Sequence, residues 1–321
     1  MTNMRYQTFI FSNYLRISVK IAGLGFFLLL ISQYNFLFFH CMAELTSIGV
    51  AWGVFMIAWN IKQFTDNAYI LVIGISYLFI GGTDLLHTLS YKGMNIFAGH
   101  DANLSTQLWI VARYMESFSL LIAPLLIRRK INPHFVFSCY LLVNVFLLAS
   151  IAYWHVFPAC HIEGTGMTLF KKLSEYAICL MLLFSLFLLH RKRSMFDPYV
   201  LKLIAASIFA TILSELSFTF YVSVYGPSNI AGHCMKIISF YLLYKVIIEI
   251  GLRDPYRLLF KELKQKENSL QKSERRFRTF FEENPVGIAV SPGLQKEVMV
   301  NRALSEFLGY SKGELESADL P

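Results

Sequence analysis

Residues 84–117 read DLLHTLSYKGMNIFAGHDANLSTQLWIVARYMES, from Asp84 to Ser117. The stretch holds the end of one apolar run, a short polar loop and the start of the next run. Both runs are long enough to cross a bilayer, because about 20 helical residues span its hydrocarbon core. Asp84, His87, Arg113 and Glu116 nevertheless lie inside them. Ionisable groups at such depth are costly and point to function or to helix-locking pairs. Asp84 and His87 are three residues apart, as are Arg113 and Glu116, so each pair shares a helix face.

The chain around this stretch repeats the pattern. Of its 321 residues, 55% are hydrophobic and 16% charged, and the apolar runs recur at membrane-spanning length. The reading is an all-α polytopic membrane protein with about eight transmembrane helices. They are expected at 21–39, 44–60, 68–88, 105–127, 134–155, 168–189, 199–222 and 230–250. The second is the weakest, being short with Asn60 near its end. The first run has no convincing cleavage site and reads as a retained span.

The net charge of +8 would suggest nucleic acid in a soluble chain. Here the basic residues sit at the ends of apolar runs, where topology explains them, and no nucleic-acid motif accompanies them. Twelve, including Arg128-Arg129-Lys130 and Arg191-Lys192-Arg193, fall on one side, against Lys92, Lys171 and Lys172 on the other. The positive-inside rule then makes the first side, and both termini, cytoplasmic. With that orientation Asp84, His87, Arg113, Glu116, Glu175, Glu215, His233 and Lys236 gather in the outer half of the membrane. Five helices can aim a polar group at one outward-facing pocket. Asp84, His87, Arg113, Glu116, Glu175, Glu215 and Lys236 are the candidate ligand-binding or signal-sensing residues, joined by Tyr91, Gln107 and Trp109. The structural alternative is that Arg113 pairs with Glu116 or Asp84, and Lys236 with Glu215, only to lock helices together.

A second constellation is softer. His40-Cys41-Met42 and His233-Cys234-Met235 repeat one tripeptide, and Cys160-His161 lies in the loop after the fifth span. His, Cys and Met together suit copper or another soft metal, or haem, although the spacing is no known ligand motif. A disulfide from Cys160 is an alternative. The five cysteines lack the CxxC spacing of a zinc site, and Cys139 and Cys179 read as buried thiols in membrane helices.

Three stretches carry a family resemblance: DLLHTLSYKGM (84–94), LSTQLWIVARYMES (104–117) and FPACHIEGTGMTLFKKLSEY (157–176). With the spans around them they resemble the third type of bacterial and archaeal membrane-associated sensor domain, the MASE group. That resemblance implies an input module ahead of PAS domains, histidine kinases and cyclic-di-GMP enzymes, in a prokaryotic plasma membrane. It implies no particular ligand. The residues read consistently by themselves. Gly81 and Gly82 permit close helix approach, Gly93 and Gly99 permit tight turns, and Pro158 with Gly164 and Gly166 bends a loop that could act as a lid. Trp52, Trp59, Trp109 and Trp154 suit interfacial anchors, with the pocket an alternative place for Trp109. His155 reads as interfacial packing.

After the last span the composition changes. Leu252, Tyr256, Leu259, Leu263, Lys266, Leu270, Ser273, Phe277 and Phe280 follow alternating steps of four and three. That is a heptad seam with polar breaks, predicting a cytoplasmic coiled-coil helix that joins two copies of the chain through 252–280. An amphipathic helix lying on the bilayer is the alternative. Then Glu274–Arg278, Asn284-Pro285-Val286-Gly287-Ile288, Asn301 and Leu308-Gly309-Tyr310-Ser311 resemble the opening of a PAS domain. Such a domain is about twice as long, so an incomplete α+β fragment is expected, poorly ordered or partly folded. The expected organisation is therefore 1–20 as cytoplasmic N-terminus, 21–250 as transmembrane sensor, 251–280 as signalling helix and 281–321 as truncated PAS start.

The leading functional reading is a sensory input module whose signal is unidentified. An ion-coupled transporter or channel is the rival, but no internal repeat is visible, and Pro124 is the one proline well inside a span. A metal- or haem-binding redox sensor is a further alternative. An enzyme is not expected, because the chain contains neither HExxH nor GxSxG and no catalytic output domain is recognisable.

Overall fold

A computed structural model describes residues 27, 30–62, 67–94, 96–97, 102–219, 226–249, 254–290 and 298–317; in the stretch 254–262 it gives the backbone alone. The chain divides into two compact units, Met1–Asp254 and Pro255–Pro321.

Among the described residues of the first unit, seven helices are long and apolar enough to cross a membrane. They are α1 (Phe36–Ile61), α2 (Ala68–Leu89), α3 (Ala102–Leu126), α4 (Pro133–Ala152), α5 (Leu169–Arg191), α6 (Pro198–Thr219) and α7 (Pro227–Ile248). The first unit is thus an all-helical polytopic membrane protein. Of the expected 21–39 span, residues 21–26, 28 and 29 lie outside the described residues, and 30–34 are helical. Its last four positions belong instead to α1, which corrects the expected 44–60 span. The cause is Asn35, whose side chain accepts from the Phe38 amide and caps a new helix there. The helix judged weakest from sequence is the longest of the seven at 26 residues. Asn67, Asn132 and Thr168 cap α2, α4 and α5 in the same way, which is why those three starts fall within a residue of expectation.

Packing contacts run from α1 to α2, α2 to α3, α3 to α5, α5 to α6, α6 to α7 and α7 back to α1. Six helices thus close a ring, and α4 lies outside it against α2 and α3. That explains α4's composition: only 17% of its apolar window is buried inside the protein, so its Leu, Val and Phe side chains are left for lipid.

Close approach within the ring needs small residues. A Cβ on Gly74 would lie 2.1 Å from the Ala58 Cβ, and one on Gly81 would lie 2.9 Å from Trp52 Nε1. Gly82 meets nothing within 4 Å, so only the first of the expected glycine pair serves packing. Small hydroxyls bind helices together where lipid supplies no hydrophobic force. Ser207, Thr211 and Ser239 join α6 to α7, and Ser185 donates to the Leu120 carbonyl.

Between α4 and α5 a two-residue hairpin forms, β1 (His161–Ile162) against β2 (Gly166–Met167). Gly164 and Gly166 both have φ of +85° there, the conformation expected of glycine in so tight a turn.

The second unit starts with α8 (Asp254–Glu283), one helix of 30 residues. β3 (Ala289–Val290) pairs antiparallel with β4 (Met299–Val300), followed by α9 (Arg302–Leu308) and α10 (Lys312–Ser317). Asn301 is its latch. Its Oδ1 accepts from the amides of Ile288 and Leu304, and its Nδ2 donates to the Val286 carbonyl. Gly309, at φ +75°, ends α9 in the left-handed conformation.

Candidate functional site

The ring encloses the charges. Arg113 on α3 donates through Nη2 to both oxygens of Asp84 on α2, at 2.9 and 2.7 Å, and through Nη1 to Glu116. Tyr77 donates its hydroxyl to the other Glu116 oxygen at 2.8 Å. On the far side of Asp84, Lys236 from α7 lies 3.0 Å away and donates to Glu44 of α1 at 2.6 Å. His233, one turn before Lys236, places Nδ1 3.1 Å from the remaining Glu44 oxygen. Glu44, Asp84, Arg113, Glu116 and Lys236 are all at most 2% exposed. Burial of this kind is tolerated only when charges are paired and hydrogen-bonded. The network therefore ties α1, α2, α3 and α7 together, and it sets three carboxylates against the basic side chains of Arg113 and Lys236.

Above this network sits a cluster of rings. His40 stacks on Tyr91 with centroids 3.7 Å apart, and approaches His233 at 4.9 Å and His87 at 5.4 Å. Trp109 is the platform: Arg113 and Lys236 lie over it at 4.8 and 4.7 Å, and Phe218 meets it edge-on. Such cation–π contacts stabilise desolvated cations. His87 Nδ1 lies 2.7 Å from the Ser105 carbonyl, so that nitrogen carries the proton and donates. A small cleft of about 60 Å³ opens among His40, His87, Tyr91, Trp109, His233 and neighbours that include Lys171 and Met167. The space admits an ion or a ligand of a few atoms.

Of the sequence candidates, Asp84, Arg113, Glu116 and Lys236 meet in the charge network, and His87, Tyr91 and Trp109 in the cleft above it. Lys236 pairs with Glu44 and Asp84, rather than with Glu215 as the sequence alternative had it. Glu175 pairs with Lys171 at 2.5 Å, one turn away on α5. Glu215 on α6 is fully buried, and neither of its oxygens has a hydrogen-bond partner among the described residues. Gln107 faces elsewhere. Its side chain donates to the carbonyls of Phe157 and Pro158, while Asn103 accepts from the amides of Cys160 and His161, strapping the hairpin loop to α3. The same residues border a separate, mainly apolar cavity of about 470 Å³ between α2, α3 and α4, next to His155.

The soft-metal set does not assemble as one group. His40 and His233 converge, but Cys41 donates to the Met94 sulfur, Cys234 packs with Phe36, Phe39 and Ile230, and Cys160 and His161 stay with the loop. All five thiols are unpaired, so no disulfide forms from Cys160. Burial pushes the Cys160 thiol up to about 12, leaving it inert.

Sequence reasoning missed Glu44, Lys171 and Tyr77. Glu44 was placed at the edge of a span that in fact begins eight residues earlier. The signal available was His40 and Glu44 at i, i+4, on one face of an otherwise apolar run. Lys171 was assigned to the outer surface by its position near a span end, yet it is 2% exposed and donates to the Phe218 carbonyl.

With this geometry in hand, comparison places the chain. Residues 31–255 match MASE3, a membrane-associated sensor domain, and residues 275–321 match a PAS domain. The chain belongs to the MASE3 family and is a membrane sensory input module followed by PAS sequence. No curated protein and no solved structure matches it.

Proposed function

We propose that the signal acts in the cleft between His40, His87, Trp109 and His233, and that it is relayed by repacking of the ion network beneath. The observation carrying this reading is that one buried network joins four helices directly below a small cleft lined by three histidines. Any ligand that changes charge or geometry at Glu44 acts on α1 and α7 together, because Lys236 bridges Glu44 and Asp84. Since α7 is the last membrane helix before α8, its movement is passed to the signalling helix. A ligand shifts such a two-state packing only by its difference in affinity for the two states. In this reading the cleft faces outward, both termini are cytoplasmic, and the module serves output domains of a prokaryotic plasma-membrane receptor.

The relay works through a parallel homodimer. Leu263, Leu270, Phe277 and Phe280 are all exposed on α8, along the seam that a second copy would cover. The region 21–250 is then the sensor and 251–280 the transmitter. The test is site-specific photo-crosslinking of the full chain in native membranes, with the photoreactive residue at 263 or 270, or off the seam at 264 or 267. Dimer cross-links should concentrate at 263 and 270, and Glu44→Gln should redistribute them. Equal yields on and off the seam would overturn the dimer, and yields indifferent to Glu44→Gln would overturn the relay.

A further inference from the structure

The histidine cleft contains a donor set whose geometry the sensory role does not explain. His40 is completely buried, and neither of its ring nitrogens has a hydrogen-bond partner among the described residues. Two unsatisfied nitrogens in a buried imidazole are costly unless something else meets them. One atom each from His40, Glu44 and His233 lies within 4.8 Å of the others. Beside them, His87 has its Nδ1 proton fixed on the Ser105 carbonyl and its Nε2 without a partner. A backbone carbonyl on one ring nitrogen is also how the tautomer of a histidine ligand is fixed, the other nitrogen being left as a lone pair.

From these contacts we infer that His40, Glu44 and His233 form a binding site for a divalent first-row transition ion, with the His87 ring 5.4 Å from that of His40. Imidazole with one carboxylate suits zinc, nickel, cobalt or iron, and the sulfur ligands that would favour copper(I) are engaged elsewhere. Lys236 stands next to the site, but it occupies the other oxygen of Glu44 and so acts as the hydrogen-bonding partner that a ligating carboxylate takes. Charge supports the assignment. Three carboxylates, Glu44, Asp84 and Glu116, face two basic side chains, Arg113 and Lys236, so a cation at Glu44 adds to the outnumbered side. Neighbouring ligands on a tetrahedral ion with bonds of about 2.1 Å sit about 3.4 Å apart. His233 and Glu44 already stand at 3.1 Å, and the donor atom of His40 lies within 4.8 Å of both. The cleft beside them provides the way in.

The inference rests on the same cleft as the sensory reading, and the two fail separately. The experiment is a titration of the purified full chain in nanodiscs with Zn²⁺, and with Co²⁺ as a visible-absorption probe. The expected result is one ion per chain, and a Co²⁺ band of tetrahedral intensity that Zn²⁺ displaces. His40→Phe, which keeps the stack on Tyr91, and His233→Gln should each weaken binding by about tenfold or more, while His161→Gln leaves it unchanged. Absence of a stoichiometric ion in the wild type, or equal affinity in His40→Phe and His233→Gln variants that elute and melt as the wild type does, would overturn the metal site. If either variant misfolds, the wild-type Co²⁺ spectrum decides: an octahedral, water-like spectrum overturns the site. Cross-links on α8 that respond to Glu44→Gln without any ion bound would keep the sensory reading and remove the metal. An ion that binds without altering them would do the reverse.

Discussion

Arg113 with Asp84 and Glu116 in the membrane unit, and Lys264 with Glu267 on α8, are ion pairs of the same chemistry in opposite surroundings. The first group is sealed among helices, at most 2% exposed. The second has side chains 68% and 54% exposed. In water a pair trades hydration for a weak, screened attraction and contributes little. In a helix bundle each charge has been stripped of water, so removing one partner strands the other. The comparison teaches that, among the described residues, a buried ion pair fixes helix arrangement whereas a water-exposed one leaves it nearly untouched.

The sharpest way to break that comparison is Arg113→Met. It leaves Asp84 with Lys236 and Glu116 with Tyr77, and should cost about 3–5 kcal/mol, the usual penalty for a stranded buried charge. Thermal melting in nanodiscs measures it. A stability near wild type would mean that the network is not what holds α2 and α3 together. A smaller loss is expected from Gly74→Ala, which presses a methyl into Ala58 across the α1–α2 contact. Overpacking of this kind costs about 1–3 kcal/mol, and Ala58→Gly in the same chain should restore most of it. Failure of that rescue would place the damage somewhere other than the contact.

Effects in the second unit should be smaller and local. Asn301→Ala removes the cap of α9 and the latch to Ile288, a loss of about 1 kcal/mol for the cap. Hydrogen exchange should speed up at the Ile288 and Leu304 amides and stay unchanged in α1–α7. Protection retained at both amides would rule out the latch. Smaller again is the pH response of Glu282. The ammonium of Lys312 holds its carboxyl below the ordinary range. The stabilisation is therefore complete above the ordinary glutamate value of about 4.3, and is lost as pH falls through the depressed one. Carboxyl NMR of the full chain should show Glu282 titrating low and returning to the ordinary range in Lys312→Ala. At the bottom of the scale, Lys264→Ala should leave the melting temperature unchanged within error. A shift comparable to that of Arg113→Met would erase the distinction drawn above.

Much of the fold was legible because its signals are local. Asn67, Asn132 and Thr168 each precede an apolar run and cap it. Asp84, Arg113 and Glu116 stood out as charges in apolar surroundings, and the i, i+3 spacing of Arg113 and Glu116 announced a shared face. Less legible was anything that depended on closure of the ring. Lys236 meets Glu44 across 192 positions, and nothing near either residue names the other. Lys171 near a span end looked like a surface lysine because long basic side chains usually reach for water there. Here it turns inward to Glu175 and the Phe218 carbonyl. Gln107 looked like a pocket residue and is a strap for the loop.

By itself the amino-acid sequence determined that this chain lives in a membrane, where most of its helices run, and that charge is concentrated on a few of them. Those properties follow from apolar length, capping side chains and the cost of an ion in hydrocarbon, all of which act within one segment. Only the tertiary structure decided which charges neutralise which, that α1 joins the site through His40 and Glu44, and that α4 is left to the lipid. These depend on which helix faces which. That choice is made by closing six helices around the least total of unpaired charge and empty space, a property of the ring and of no segment in it.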